Sequence, residues 1–461
     1  MDPRPHNRIF NTGSGTQSNN SGEGSQYNAH FQHIHAGTNH LFAASHQHFY
    51  FGPSNTSGTE TSARPSCVVP FIRDPQFVDP RRGQLLHEIH DKCFAPPQRV
   101  ALVGLGGMGK SQLAIEFCRR IEEAFPHMWV FWVHASSRRR FEQGYRGIAE
   151  ATKMISCDYH RINETNVLRM VRSWLCDRRN GRWLMVVDNA DDAGVAELLS
   201  DHLPQSPNGS ILITSRSRDV AYELTGYYSS IVDVGPMDER DALTLLTHKL
   251  GPTLSRSTAE TTKLIRALDY MPLAITQVAT FIRQARLRTI GRFTDELCND
   301  DLDQARLLDR NLPDSRRDSE ASNAILTTLQ VSFELVRKQM PTAALLLSLM
   351  SLFHRDRIPK TLLFRRYRTD DPREASFDDI HTLMSFSLIE ESEDGQHFTM
   401  RRLVQISIRR WLELHYFEAV ELREGNFAVI LMRRAGRNRL RRLLFLRICV
   451  SLYMALAVNT L

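Results

Sequence analysis

No run of apolar residues in this 461-residue chain reaches the roughly 18 that a membrane-spanning helix needs. The most apolar stretch near the C-terminus, 448–458, is short, and Arg447 cuts it off from Leu443–Leu446. Cysteine is scarce as well. The seven present have no paired spacing and no signal peptide ahead of them. This excludes a disulfide scaffold and points to free thiols in a reducing, cytoplasmic setting. A basic excess is missing from most of the chain. Lys and Arg number 58 against 52 Asp and Glu, but residues 421–461 alone hold eight Arg and two Glu. The first 420 residues are therefore neutral overall. A nucleic-acid-binding body needs a basic face, so no nucleic-acid partner is expected.

Valine is absent from residues 1–64, which hold one Leu and two Ile beside seven Gly, eight Ser, seven Asn, four Gln and seven His. Such a segment cannot bury enough apolar surface to offset its ordering entropy, so disorder is expected. A tandem repeat lies inside it: Asn11–Asn19 is followed at once by Asn20–Asn28, with five identical positions. Two readings stand: a flexible leader, or a self-templating motif whose Asn and Gln stack into ladders. The histidines His30, His33, His35, His40, His46 and His48 have no cysteine among them and no core to hold them, so no specific metal site is expected.

What remains is ordinary globular material, 42% hydrophobic and 24% charged over the chain, enough for about three domains. After a linker at 65–98, apolar runs alternate with helical patterns. Arg99–Gly104, Trp129–His134, Trp183–Asp188, Ser210–Thr214 and Ile231–Val234 read as buried strands, and Phe141–Met154 and Thr165–Leu175 as helices between them. That alternation predicts an α/β domain with a parallel sheet over 99–236. From Asp238 the strands stop, and 238–292 and 301–350 carry helical i, i+3, i+4 spacing. An all-α domain is expected over 237–330, and a mixed domain over 331–415 with a hairpin at Ser387–Met400 turning on Glu393-Asp394-Gly395.

Gly104-Leu-Gly-Gly-Met-Gly109-Lys110-Ser111 satisfies G-x-x-x-x-G-K-[ST] between a hydrophobic strand and an amphipathic helix. Glycines there let successive backbone N–H groups wrap phosphates, and the helix start adds its positive dipole end. Gly104, Gly106, Gly107, Gly109, Lys110, Ser111 and Gln112 are the expected nucleotide-binding residues, with Lys110 aimed at the β- and γ-phosphates and Ser111 at Mg²⁺. Asp188, at the tip of a buried strand, is the second expected Mg²⁺ ligand. Its neighbour is Asn189, where many P-loop ATPases place a second acid; an amide cannot take a proton from water, and Asp191 and Asp192 are the acids that could substitute. Arg216, after the fourth strand, can read a γ-phosphate with its planar fork. Pro272 opens a helix, a position proline favours on structural grounds alone.

In order along the chain, these motifs resemble the NB-ARC module of STAND-type signalling ATPases, above all fungal NOD-like receptors that continue into tetratricopeptide repeats. The resemblance runs over about 65–415 and rests on Val69–Asp79, Val100–Glu116, Val130–Ala135, Trp183–Asp192, Gly209–Arg216, Val234–Asp238, Tyr270–Ala274 and Phe398–Trp411. It implies a P-loop NTPase domain followed by a helical and a winged-helix domain. It also implies an ADP-bound resting state and an ATP-bound state that self-associates. Pro272 would sit against the adenine, Arg216 would be the first sensor, and the linker near Phe77–Asp79 would close over the base.

Two departures stand out. The family's winged-helix domain ends in a Met-His pair whose His touches the ADP β-phosphate; here the pair is Met400-Arg401, so Arg401 is either a changed latch on the nucleotide or a solvated strand end. Past Trp411–His415 the family continues into helical repeats, whereas 416–461 is basic and then apolar with no 34-residue period. A truncated or mis-spliced gene model accounts for that tail, and contact with an anionic membrane surface is the alternative. The function expected is a nucleotide-driven signalling switch with at most slow ATP hydrolysis. A turning-over P-loop ATPase, a fibril-forming signalling protein led by the 11–28 repeat, and a fragment without its sensor repeats are the other readings.

Overall fold

The computed structural model describes residues 65–78, 80–95, 99–155, 164–251, 258–284, 290–299, 325–360 and 375–412. The expectations for the 1–64 leader, for Asp79 and for the tail beyond 412 lie outside these residues, as does the start of the 301–350 helical pattern.

The first part alternates strands and helices: β1 Cys67–Val68, α1 Pro80–Phe94, β2 Arg99–Val103, α2 Lys110–Ala124, β3 Trp129–His134, α3 Arg138–Ala151, α4 Glu164–Cys176, β4 Trp183–Asp188, α5 Ala193–His202, β5 Gly209–Ser215, α6 Arg218–Thr225 and β6 Ile231–Asp233. The strands form one parallel sheet in the order β1-β3-β4-β5-β2-β6. The five expected strands are all present. The sixth, β1, extends the sheet beside β3. It lies in what reads as linker, since two residues are too few to show a period.

Helices cover both faces of this sheet, so the strands are apolar throughout rather than alternating with polar residues. Successive side chains still point to opposite sides. Val100, Leu102, Val130, Trp132, Leu184, Val186 and Leu212 join the core under α1 and α2. Ala101, Val103, Trp129, Phe131, Val133, Met185, Val187, Ile211 and Ile213 join the core under α3 to α6. Ser137, Asp192 and Ser217 cap α3, α5 and α6 by accepting hydrogen bonds from Arg140, Gly194 and Val220 N–H groups. By contrast α2 starts from Gly109 with no side-chain cap.

Helices follow: α7 Glu239–Leu250, α8 Thr258–Ala267, α9 Pro272–Gln284 and α10 Ile290–Asn299. A C-terminal module comes next, with α11 Ile325–Gln339, α12 Pro341–Met350, β7 Ile358–Pro359, α13 Ala375–Ser385, β8 Ile389–Glu391, β9 His397–Met400 and a helix over 402–412. Its strands make a small antiparallel sheet in the order β7-β9-β8. The β8–β9 turn is the expected one, with Gly395 at φ 63° and its N–H on Ser392 O at 2.9 Å. The expected boundary at 330/331 falls inside α11, which is one unbroken helix. Trp411 Nε1 donates to Glu334 at 2.8 Å and Ser407 Oγ to Leu326 O at 3.2 Å, so α11 and the last helix pack as a pair. The apolar core under α1 and α2 continues through α7 to α10 into this module, as far as Trp411 and Leu412.

Gly209 opens β5 directly beside Trp183 of β4. A Cβ there would fall inside the buried Trp183 indole, whose Nε1 donates to Leu175 O at 2.8 Å. Gly209→Ala should therefore destabilise the sheet domain by about 1–3 kcal/mol through overpacking. Urea unfolding followed by tryptophan fluorescence checks this as a lower midpoint at unchanged slope.

Candidate nucleotide site

The loop between β2 and α2 is built almost entirely of backbone. Gly107 and Gly109 sit at φ 90° and 87°, which side chains other than glycine rarely adopt. Gly109 is the N-cap of α2, so the first N–H groups of that helix face out of the loop without a side-chain acceptor. Lys110 is buried directly behind them. Its Nζ donates to Gly104 O at 2.5 Å and Leu105 O at 3.1 Å. Burial pushes its pKa down to about 8; Arg216 adds to that, and Asp191 and Asp188 oppose it. A buried ammonium held by two carbonyls beside uncapped N–H groups is a receptor for a polyanion.

Asp188 lies across the sheet from this loop, because β5 stands between β4 and β2. Its Oδ1 accepts from Ser111 Oγ at 2.8 Å and from Thr214 Oγ1 at 2.7 Å. Thr214 Oγ1 in turn accepts the Asn189 N–H at 2.9 Å. Thr214 thus stands between strands at the sheet crest and fixes where Asp188 points. The other oxygen, Oδ2, faces Asn189 Nδ2 at 3.4 Å and His134 Nδ1 at 3.7 Å, His134 being its register partner on β3. Asn189 is held at φ 60°. One hydroxyl and one carboxylate, both hard oxygen donors, suit Mg²⁺ that keeps its remaining ligands as water and phosphate. Among the described residues no cluster of three or more His, Cys, Asp or Glu could cage a metal alone.

Four glycines of the loop are each approached by a different part of the chain. A Cβ on Gly104 would collide with the Val234 carbonyl, just past β6. On Gly106 it would lie 2.8 Å from Arg216 Nη1 and 3.1 Å from Thr328 Cγ2 of α11. On Gly107 it would meet Met271 Sδ at 3.1 Å and Leu273 Cβ at 3.2 Å, and on Gly109 Arg82 Nη1 at 2.8 Å. Three of these approaches carry hydrogen bonds. The Leu273 N–H donates to Gly107 O at 3.3 Å. Arg82 Nη2 donates to Met108 O at 2.8 Å, and burial lowers the Arg82 pKa to about 10 against the pull of Asp241. Arg216 is held by Asp191 through its Nε at 3.2 Å and its own N–H at 2.7 Å. Its Nη1 donates to Thr328 O at 2.7 Å and Ser332 Oγ at 3.0 Å.

The structure therefore brings Gly104, Gly106, Gly107, Gly109, Lys110, Ser111, Asp188 and Arg216 together. Gln112 is half-buried on the first turn of α2, and Pro272 is half-buried between Met271 and Leu273 as the first residue of α9. Arg401 is elsewhere: its guanidinium is bonded to Glu390 across the β8–β9 hairpin. Sequence reasoning missed Thr214, His134, Arg82 and Thr328, and it took Asp191 only as a substitute acid, not as the partner of Arg216. Thr214 stood in view as the strand residue before Ser215-Arg216, but nothing in spacing pairs it with Asp188, 26 residues earlier. Arg82 had no signal beyond a basic residue at a helix start.

Comparison with known proteins places this site in a family context. Residues 83–255 match the NB-ARC domain model. The chain is 34% identical over 372 residues to a nucleotide-binding leucine-rich repeat (NLR)-like protein of Hyaloscypha variabilis, covering 75% of this chain and 36% of that one. It is 26% identical over 301 residues to the regulatory protein AfsR of Streptomyces coelicolor, covering 64% of this chain and 28% of that one. The chain thus spans about a third of the length of these curated relatives. Among solved structures, a Walker-type ATPase of Pyrococcus abyssi aligns with TM-score 0.48 and 14% identity over 74% of this chain and 99% of that one.

Lys110→Ala removes the one compact cation aimed into the loop. The loss of charge-assisted bonds should weaken ADP binding by at least ~100-fold, about 3 kcal/mol. Titration calorimetry of the two proteins with ADP checks this; equal affinities would exclude a phosphate-holding role for Lys110.

Proposed function

We propose that this chain, which carries an NB-ARC nucleotide-binding domain of the parallel-sheet P-loop fold, is a nucleotide-dependent signalling switch of the STAND type. In this reading the ADP-bound form is closed and the ATP-bound form self-associates. The observation that supports it most is the crowding of the loop backbone. Arg82 of α1, Arg216 just after β5, Met271 and Leu273 at the start of α9, and Thr328 of α11 bear on Gly109, Gly106 and Gly107 of one loop. Whatever occupies the loop thereby biases contacts to the helical part and to the C-terminal module, which we read as a winged-helix domain.

Arg216 is the residue through which the two nucleotides would differ. It holds the Thr328 carbonyl and the Ser332 hydroxyl of α11. A γ-phosphate is a stronger partner for guanidinium than either neutral oxygen. With ADP, Arg216 keeps α11; with ATP, it turns to the nucleotide and lets α11 go. The driving force is the differential affinity of the two arrangements for the two nucleotides. Lys110 exchanges its two carbonyl bonds for phosphate oxygens, and Ser111 and Asp188 would hold Mg²⁺, which when bound neutralises phosphate charge. Asn189 stands in place of a second acid, and the nearby Asp191 carboxylate is bonded to Arg216, which favours a switch over a fast ATPase. The likeness to an NLR-like protein supports a signalling role, and we extend it to recognition or incompatibility responses in a fungal cell. The fibril reading of the 11–28 repeat remains a second proposal, with clustering by the switch as its trigger.

Light scattering with ADP and with a non-hydrolysable ATP analogue tests the proposal. The wild-type chain should gain mass with the ATP analogue alone. Arg216→Gln should keep ADP affinity within about threefold yet show the same mass with both nucleotides. Steady turnover near the ~10 s⁻¹ typical of enzymes would favour the ATPase reading instead.

A further inference from the structure

The turn between α8 and α9 is unusual. Asp269 and Tyr270 both lie in the left-handed region, at φ 50° and 53°. Neither is glycine, so the conformation persists only because its surroundings hold it. Inside the turn, the Asp269 N–H donates to Arg266 O at 3.2 Å, Tyr270 N–H to Ile265 O at 3.1 Å and Met271 N–H to Leu268 O at 3.0 Å. Tyr270 O accepts the Met237 N–H at 3.1 Å, which ties the turn to the segment after β6. The turn runs straight into Met271 and Leu273, the two residues that bear on Gly107 of the loop.

The Asp269 carboxylate reaches the other way. Its Oδ2 accepts the Leu403 N–H at 2.8 Å, and its Oδ1 faces Arg355 Nη1 at 3.5 Å. Leu403 lies in the first turn of the 402–412 helix, where N–H groups have no partner within the helix. Asp269 therefore caps that helix from another part of the fold, 134 residues away in sequence. A carboxylate at a helix N-terminus also meets the positive end of its dipole. Arg355 is fixed in the same module, its carbonyl accepting the Met400 N–H at 2.8 Å. The Asp269 side chain is only 10% exposed. Burial pushes the Asp269 pKa up, against the Leu403 N–H and the charges of Arg355, Arg401 and Arg402. The charged form suits the helix N-terminus best, and those partners favour it.

Three residues thus separate a contact on the phosphate loop, Leu273 N–H to Gly107 O, from a cap on the C-terminal module made by Asp269, and the turn between them is conformationally constrained. We propose that Asp269 is the positioning residue that couples the phosphate loop to the C-terminal module: displacement of Met271–Leu273 at Gly107 moves Asp269, and through its cap on Leu403 it moves the 402–412 helix. The proposal rests on the nucleotide-switch reading and adds the route by which the loop reaches that module.

Hydrogen exchange of the whole chain, saturated with ADP or with a non-hydrolysable ATP analogue, tests it. In the wild type, exchange over the first turn of the 402–412 helix should differ between the two nucleotides. Asp269→Ala should speed that exchange roughly fivefold to tenfold with ADP, the effect of losing a cap, and should erase the difference. Asp269→Asn, which keeps an acceptor oxygen and the side-chain shape, should restore part of the difference and guards against a variant that merely fails to fold. Both variants should bind ADP within about threefold of the wild type, since Asp269 does not touch the phosphate loop. A wild type that assembles with the ATP analogue, beside an Asp269→Ala variant that keeps the full exchange difference, overturns the coupling and leaves the switch standing. A wild type indifferent to nucleotide in both assembly and exchange overturns the switch, and the coupling with it.

Discussion

The close approach of four chain segments to the backbone of Gly104–Gly109 is the constraint on which the rest depends. Each approach exists because no side chain stands in its way. Without it, Arg82 would lose the Met108 carbonyl, Leu273 the Gly107 carbonyl, and Arg216 its place above Gly106 beside Thr328. The sheet brings the loop to its crest, and the uncapped start of α2 directs backbone N–H groups outward there. Lys110 is buried behind them with its charge on two carbonyls, and burial, with Arg216 nearby, drives its pKa down. A polyanion relieves that penalty by bringing full negative charge to the ammonium, so the same feature that costs folding energy favours phosphate.

The neighbouring cluster is built to orient rather than to transfer protons. Asp188 receives two hydroxyls on one oxygen, and Thr214 links it to the Asn189 backbone. Asn189 offers an amide toward the other oxygen. Such a set positions a cation and a phosphate, and the next carboxylate along the chain, Asp191, is taken up by Arg216. Binding energy is then available for shifting conformations, and the bonds from Arg216 to α11 and from Asp269 to Leu403 are two places where it would act.

Most of the sheet domain was legible in the sequence. Strands buried on both faces are continuous apolar runs, and β2 to β6 carry that signature, so their existence and order along the chain follow directly. The phosphate loop was legible because its chemistry demands a fixed local string of residues. What escaped were contacts closed by tertiary structure. The strand β1 has two residues, too few for any period. Thr214 and Asp188 meet only because β5 lies beside β4. Asp191 was visible as an acid past the tip of β4, yet its pairing with Arg216 depends on the β4–α5–β5 crossover bringing two neighbouring strand ends together. Asp269 sits in a left-handed turn with Tyr270; aspartate visits that region occasionally, but nothing in a tyrosine predicts it. The boundary drawn at 330/331 lies within α11, which contacts Arg216 near its start and Trp411 further along, a pairing that only tertiary structure closes. Arg401 was read as latch or strand end; in this structure it bonds Glu390 on the neighbouring strand.

The central claim is that the occupant of the phosphate loop governs how the C-terminal module is held against the sheet domain. The most direct measurement is a pulsed-EPR distance between spin-label amino acids placed at Tyr227, exposed on the sheet domain, and Glu393, exposed in the β8–β9 turn. The account predicts one narrow distribution with ADP, a displaced one with a non-hydrolysable ATP analogue, and no response to either nucleotide once Lys110 is replaced by Ala. Identical distributions with both nucleotides in a wild-type chain shown to bind them would contradict it.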